Sequence, residues 1–115
     1  KAHGDGKGNV EWPTPMQQAE SVHGAQAIVD LANAYPGDID LLAIGPLTNV
    51  ALALAMDRDL PSKIRELRIM GGCDNSEGNV TAAAEYNFFV DPEAAQMVLS
   101  AGFATTIVTW TLLCE

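Results

Sequence analysis

The sequence has few basic side chains, only two cysteines and no long apolar run. Six lysines and arginines stand against 15 aspartates and glutamates, which gives a net charge of −9 at pH 7. Such a surface repels phosphate backbones, so we expect no nucleic-acid partner. The longest apolar run, residues 50–56, is far shorter than the roughly 20 residues that span a bilayer, so we expect no membrane partner. Cys73 and Cys114 lack metal-site spacing and make no disulfide framework, which favours a reducing, cytoplasmic compartment.

The sequence does have enough apolar residues for a core. Hydrophobic residues make up 48% of the 115 residues, which indicates a packed body of at most one domain and excludes wholesale disorder. The chain starts at Lys1 without a methionine and ends at Glu115 without an obvious stop. We therefore predict that residues 1–115 are a segment of a longer protein.

The first twenty residues are interrupted by glycine and proline and predict a loop. Gly4, Gly6 and Gly8 alternate, but this spacing is neither the dinucleotide-binding fingerprint nor a P-loop, so a dinucleotide-binding domain ranks last among the hypotheses. His3 in this loop is either an exposed histidine or one that lines a pocket. The residues alone leave both alternatives open.

Apolar periodicity predicts alternating helices and strands over the rest of the chain. The predicted helices cover residues 21–35, 47–56 and 92–101, and the predicted strands cover residues 39–44, 66–70 and 105–109. The first strand is a short apolar run rich in leucine and isoleucine, which is consistent with a strand buried on both faces. Residues 57–66 predict a connection. Helical crossovers between short strands imply an α/β fold with a mostly parallel sheet. The ends of the strands should then share one edge of the sheet, where ligands bind in such folds.

A long polar loop follows the second strand and is the candidate ligand site. Gly71 and Gly72 end the strand, and glycines there let the main chain approach a ligand closely. Asn79 follows Gly78, where the chain can turn toward the same space. Asp91 precedes a proline and a glutamate, which predicts that it caps the next helix.

The loop contains an alternating polar and apolar stretch, residues 84–88. If this stretch is extended, Glu85 and Asn87 lie on one side, and Tyr86 and Phe88 face the core. A carboxylate beside an amide offers acceptors and donors together, which suits a sugar or another ligand with several hydroxyls. The alternative is that these side chains hold the loop in place by bonding its own backbone.

The chain resembles the nucleoside hydrolase family of the inosine-uridine preferring type over nearly all of its length. The resemblance rests on motifs in a fixed order, which are His3-Gly4, Gly45-Pro46-Leu47-Thr48-Asn49-Val50-Ala51, Met70-Gly71-Gly72, Gly78-Asn79, Ala84-Glu85-Tyr86-Asn87 and Asp91-Pro92-Glu93-Ala94-Ala95. It implies a Rossmann-like, mostly parallel α/β sheet, of which this chain is the middle part. It also implies a calcium-dependent enzyme of nucleoside salvage, which cleaves the base–ribose bond of a nucleoside with water, and it makes a homo-oligomer possible.

The resemblance assigns substrate-binding roles to five residues of this sequence. The residues that match Asn79 and Glu85 hold the 5′ end of the ribose in the family. The residue that matches Asn87 binds a ring hydroxyl, and the residue that matches Met70 packs under the sugar. An equivalent of His3 lies near the base pocket.

The calcium site is where the sequence departs from the family. The residue that matches Ile44 gives its main-chain carbonyl to the ion. The amino-terminal aspartate cluster D-x-D-x-x-x-D-D and the late His-Asp pair are absent from these residues, and residues 109–111 depart from the family's Asp-Val-Thr-like piece. We therefore predict no catalytic residue in this segment and no nucleoside hydrolysis by the isolated chain. The alternatives are a non-catalytic ribose- or nucleoside-binding module and a structural fragment.

Overall fold

The fold was obtained as a computed structural model that describes residues 11–74 and 77–114. Within these ranges, the three predicted helices and three predicted strands occur in the predicted order. The helices are α1 (Gly24–Ala34), α2 (Thr48–Met56), α3 (Leu60–Lys63), α4 (Tyr86–Val90), α5 (Pro92–Leu99) and α6 (Trp110–Leu113). Three of these, the short helices α3, α4 and α6, were not predicted. The strands are β1 (Ile39–Ala43), β2 (Ile64–Met70) and β3 (Thr105–Val108). The prediction on His3 lies outside the described residues.

The three strands form one parallel sheet in the order β1-β2-β3. Ala43 lies beside Ile69, and Ile69 lies beside Ile107, so the strands end at a common edge. Each pair of neighbouring strands is joined by a connection that contains helices, as parallel strands require. The predicted α/β class with a parallel sheet and helical crossovers is confirmed.

The core lies between the sheet and the helices that cover one of its faces. Leu67 and Ile69 of β2 point into this core, where they join apolar residues of α1, α2, α3 and α5. Arg68, between them, points to the other face and forms an ion pair with Glu66 at 2.7 Å. The prediction that β1 is buried on both faces is wrong within the described residues, because Leu42 is 64% exposed on the face that these helices leave open.

The segment predicted as a connection, residues 57–66, contains more structure than its charge and its proline indicated. Its middle forms α3, and its last three residues already belong to β2. Lys63 bonds both Asp57 and Asn33, which fixes the end of α3 against α1. Local composition did not show the contact with α1, because Asn33 lies 30 positions before Lys63 in the chain.

No helix in residues 11–74 and 77–114 is both long enough and apolar enough to cross a bilayer.

Candidate functional site

The candidate site lies at the edge where β2 and β3 end. The amide of Gly71 donates to the carbonyl of Val108 at 3.1 Å, and the amide of Trp110 donates to the carbonyl of Gly72 at 2.8 Å. These bonds continue the pairing of the two strands beyond their ends. The glycines leave room for the Phe88 ring, since a Cβ on Gly71 would lie 2.5 Å from it. The short helix α4 can therefore pack directly onto the exit of β2.

Glu85 joins this strand exit to α4. Its carboxylate is only 2% exposed and accepts backbone N–H groups from Gly72 at 2.9 Å, Asn87 at 2.9 Å and Phe88 at 3.3 Å. Two of these donors belong to the first turn of α4, so Glu85 is the cap of that helix. The third belongs to the loop after β2. One buried carboxylate thus holds together two segments that are far apart in sequence.

Asn87 lies in the first turn of α4 and contacts the last residue of β2. Its Nδ2 donates to the carbonyl of Met70 at 3.0 Å and lies 3.3 Å from Met70 Sδ. No described residue donates to its Oδ1, and the described ranges contain no fully buried side-chain nitrogen or oxygen without a partner. The Oδ1 of Asn87 therefore reaches solvent and can accept a hydrogen bond from a ligand.

Asn79 connects to the same turn from the other side. Its Oδ1 accepts the amide of Tyr86 at 2.8 Å. The loop before it is tight, because the carbonyl of Ala84 accepts the amides of both Asn79 and Val80 at 3.1 Å. A Cβ on Gly78 would lie 2.2 Å from that carbonyl oxygen, so only glycine fits there. The structure therefore brings Asn79, Glu85, Asn87 and Met70 to one turn.

The local conformation differs from the sequence prediction. Residues 84–88 are not an extended strand-like piece, because α4 begins at Tyr86. Phe88 packs against the core as expected, whereas Tyr86 is 38% exposed, so the prediction that both aromatic rings face the core is wrong for Tyr86. The contacts match the alternative that these polar side chains bond the loop's own backbone. A role of the same residues in ligand binding stays a prediction.

Asp91 caps α5, as the sequence predicted. Its Oδ1 accepts the amide of Ala94 at 3.0 Å, and its Oδ2 accepts the hydroxyl of Thr48 at 2.5 Å. The Thr48 hydroxyl, followed by the Ala94 amide, lowers the pKa of the Asp91 carboxyl below its ordinary value of 3.8. The bond from Thr48 was not predicted, because nothing local signals a contact between residues 43 positions apart.

The start of α2 is also in contact with the start of α1. The side chain of Asn49 lies so close to Gly24 that a Cβ there would be 3.3 Å from Asn49 Nδ2. His23 is exposed and caps α1 by accepting the amide of Ala25 through Nδ1 at 3.2 Å. The loop at Gly45, between β1 and α2, is open, with nothing within 4 Å of a hypothetical Cβ.

The donors for a metal ion are few in the part of the chain that the structure describes. It contains no group of three or more histidine, cysteine, aspartate or glutamate side chains that could hold one. Ile44 directly follows β1 at the shared edge, where a main-chain carbonyl is available in an exposed loop. Calcium takes six to eight oxygen ligands, so these residues fit a calcium site only as one contributor to it.

Comparison with known proteins gives a consistent result. The family model described as inosine-uridine preferring nucleoside hydrolase matches residues 1–115. A probable uridine nucleosidase of Oryza sativa subsp. japonica is 40% identical over 107 residues, which are 92% of this chain and 33% of that protein. A pyrimidine-specific ribonucleoside hydrolase of Escherichia coli O157:H7 is 44% identical over 101 residues, or 87% of this chain and 32% of that protein.

Solved structures agree with these relatives. A plant nucleoside hydrolase superposes with a TM-score of 0.89 at 32% identity, over 96% of this chain and 35% of that one. A purine-preferring ribonucleoside hydrolase from Gardnerella vaginalis gives a TM-score of 0.85 at 33% identity, over 90% of this chain and 33% of that one. The chain thus spans about a third of the length of the relatives that it matches. The family model covers the whole sequence, and the chain belongs to the inosine-uridine preferring nucleoside hydrolase family.

Proposed function

We propose that this chain is the middle part of an enzyme that cleaves the N-glycosidic bond of ribonucleosides with water, releasing base and ribose. The observation that carries the proposal is the hydrogen-bonded group of Asn79, Glu85, Asn87 and Met70 at the edge of the parallel sheet. Ligands of open α/β sheets bind at this edge. The proposal is supported by the family to which the chain belongs, since its named members include a probable uridine nucleosidase and a pyrimidine-specific ribonucleoside hydrolase.

The names of the relatives support ribose as the part of the substrate that this segment recognises. These names specify different substrates, namely uridine, pyrimidine nucleosides and purine nucleosides. Each of these relatives nevertheless matches most of the 115 residues of this segment. The ribose is the component that these nucleosides share. Asn87 offers an Oδ1 to a ribose hydroxyl, and the Nδ2 of Asn79 has no hydrogen-bond partner among the described residues. Asn87 would thus offer an acceptor to a ring hydroxyl, and Asn79 would offer a donor toward the 5′ end of the ribose.

This ribose wall would contribute to catalysis by holding the sugar. Glycosidic cleavage passes through an oxocarbenium-like sugar, so contacts to its hydroxyls are most useful where they favour the distorted ring. Glu85 and its three N–H donors fix the turn that carries Asn87 before substrate arrives. Met70, in contact with Asn87, would form the surface under the sugar.

We further propose that the complete enzyme uses calcium. When bound, the ion would polarise a water molecule and lower its pKa, so that the water attacks the sugar more readily. The Ile44 carbonyl would be one of its ligands, and carboxylates from outside these 115 residues would supply the others. The isolated segment should therefore hydrolyse no nucleoside.

The test is an assay for ribose release from uridine and inosine, using the protein as it is naturally produced. We expect hydrolysis that a calcium chelator abolishes and that added calcium restores. The 115-residue chain alone should release no ribose. Nucleoside binding without turnover in the natural protein would instead indicate a binding module. Absence of both, with a mass that rises with concentration, would indicate a structural fragment that associates through its sheet edges.

A further inference from the structure

We propose that Thr48 and Asp91 are a positioning pair for the ribose wall. Their hydrogen bond would hold the start of α2 against the junction of α4 and α5. The loop after β1 would thereby stay in a fixed relation to the turn that carries Glu85 and Asn87. This inference rests on the proposed function, because it assigns the pair a role in holding that wall.

The Asp91 carboxylate uses its two oxygens for two different contacts. Capping α5 requires one oxygen, and Oδ1 provides it by accepting the amide of Ala94 at 3.0 Å. The other oxygen accepts the hydroxyl of Thr48, which is 43 positions earlier in the chain, at 2.5 Å. Hydrogen bonds from hydroxyls to carboxylates are short and about twice as strong as neutral ones. The second bond thus joins two helices, beyond what a helix cap needs.

The bond between Thr48 and Asp91 lies next to the loop after β1 at one end and next to α4 at the other. Thr48 is the first residue of α2 and follows the loop from Ile44 through a buried Leu47. Asp91 directly follows Val90. It is both the C-cap residue of α4 and the N-cap residue of α5. A movement of the carboxyl end of α4 away from the start of α2 would therefore strain the bond between Thr48 and Asp91.

Cleavage of the glycosidic bond needs groups that hold the substrate precisely. A displacement of about 1 Å in a substrate-holding group can lower the rate up to about 10²-fold. The α4 helix spans only Tyr86–Val90, and the hydrogen bonds described above from Asn79, Glu85 and Asn87 all hold its first turn. A strong bond at its carboxyl end, opposite the Glu85 cap at its amino end, would fix both ends of the helix.

The decisive variant is Thr48→Val in the natural protein. It removes the hydroxyl and leaves the Asp91 cap of α5 in place. Thr48→Ser restores the donor and should rescue the defect. Thr106→Val is the matched control, because Thr106 also donates to a carboxylate, that of Glu66 at 2.8 Å, on the face of the sheet away from the core.

The main readout is the split between KM and kcat. We expect Thr48→Val to lower kcat/KM for uridine or inosine about tenfold, mostly through KM, because contacts to the ribose hydroxyls already form in the bound ground state. A variant that is merely less stable loses active protein, which lowers the apparent kcat and leaves KM unchanged. Thr48→Ser and Thr106→Val should both keep the KM of the unaltered protein.

Amide hydrogen exchange provides a second readout that does not need activity. Residues 44–49 and 85–91 should exchange faster in Thr48→Val and not in Thr106→Val. Equal KM values and equal exchange in these two variants would overturn the positioning role while leaving the proposed function intact. If the natural protein neither binds nor hydrolyses nucleosides, the proposed function fails, and unchanged exchange in Thr48→Val would then also refute the link between the helices.

Discussion

Replacing Glu85 by glutamine should destabilise the protein even where no substrate is present. The Oε2 of Glu85 accepts the amides of Gly72 and Phe88, and its Oε1 accepts the amide of Asn87. Glutamine keeps one acceptor oxygen, so at least one buried N–H would face an NH₂ group and lose its partner. Losing a hydrogen bond to a charged group costs about 1.5–3 kcal/mol. The remaining bonds also lose their charge assistance, so we expect a total loss of about 3 kcal/mol in the free energy of unfolding.

The assay is urea denaturation of the natural protein without calcium or nucleoside, which separates stability from ligand binding. Glu93→Gln is the matched control, since Glu93 is an exposed carboxylate in the first turn of α5. Its interaction with the helix dipole is worth only about 0.3–1 kcal/mol. If Glu85→Gln costs no more than Glu93→Gln, the carboxylate does not hold the loop and α4 together, and our account of the site is wrong.

Three further predictions concern the loop, the core and the response to acid. Gly78→Ala should destabilise the loop, because its Cβ would lie 2.2 Å from a backbone oxygen. Gly45→Ala is the control, because a Cβ at that position would have open space around it. Limited proteolysis compares the two variants. Leu67→Ala should lower the free energy of unfolding by about 2–5 kcal/mol. Leu52→Ala, at a side chain that is 45% exposed, should cost clearly less in the same denaturation series. Because the pKa of Asp91 is lowered in the folded state, its carboxylate stabilises the fold at pH values above the ordinary pKa of 3.8. This contribution is lost as the pH falls through the lowered pKa. The free energy of unfolding should therefore fall less between pH 5 and pH 2 in Asp91→Asn than in the unaltered protein. An unchanged dependence on pH would contradict the role given to the Asp91 carboxylate.

The comparison of sequence and structure shows which features have local causes. The order of helices and strands follows from apolar periodicity, and the cap at Asp91 follows from the Asp-Pro-Glu sequence around it. The α4 helix was missed because alternating polar and apolar residues indicate a strand. Glu85 was considered as a ligand-binding residue, but its place as the cap of α4 depends on a strand exit thirteen positions earlier.

The sequence by itself determined the α/β class, the parallel sheet and the polar loop as the candidate site, because each depends on patterns within short stretches. The family motifs also singled out Asn79, Glu85, Asn87 and Met70, which the structure brings together. Only the tertiary structure decided how they are held, since the bonds of Glu85 to the loop after β2 and of Asp91 to Thr48 join distant segments. Such contacts leave no local pattern, because their partners meet only after the helices have packed on the sheet.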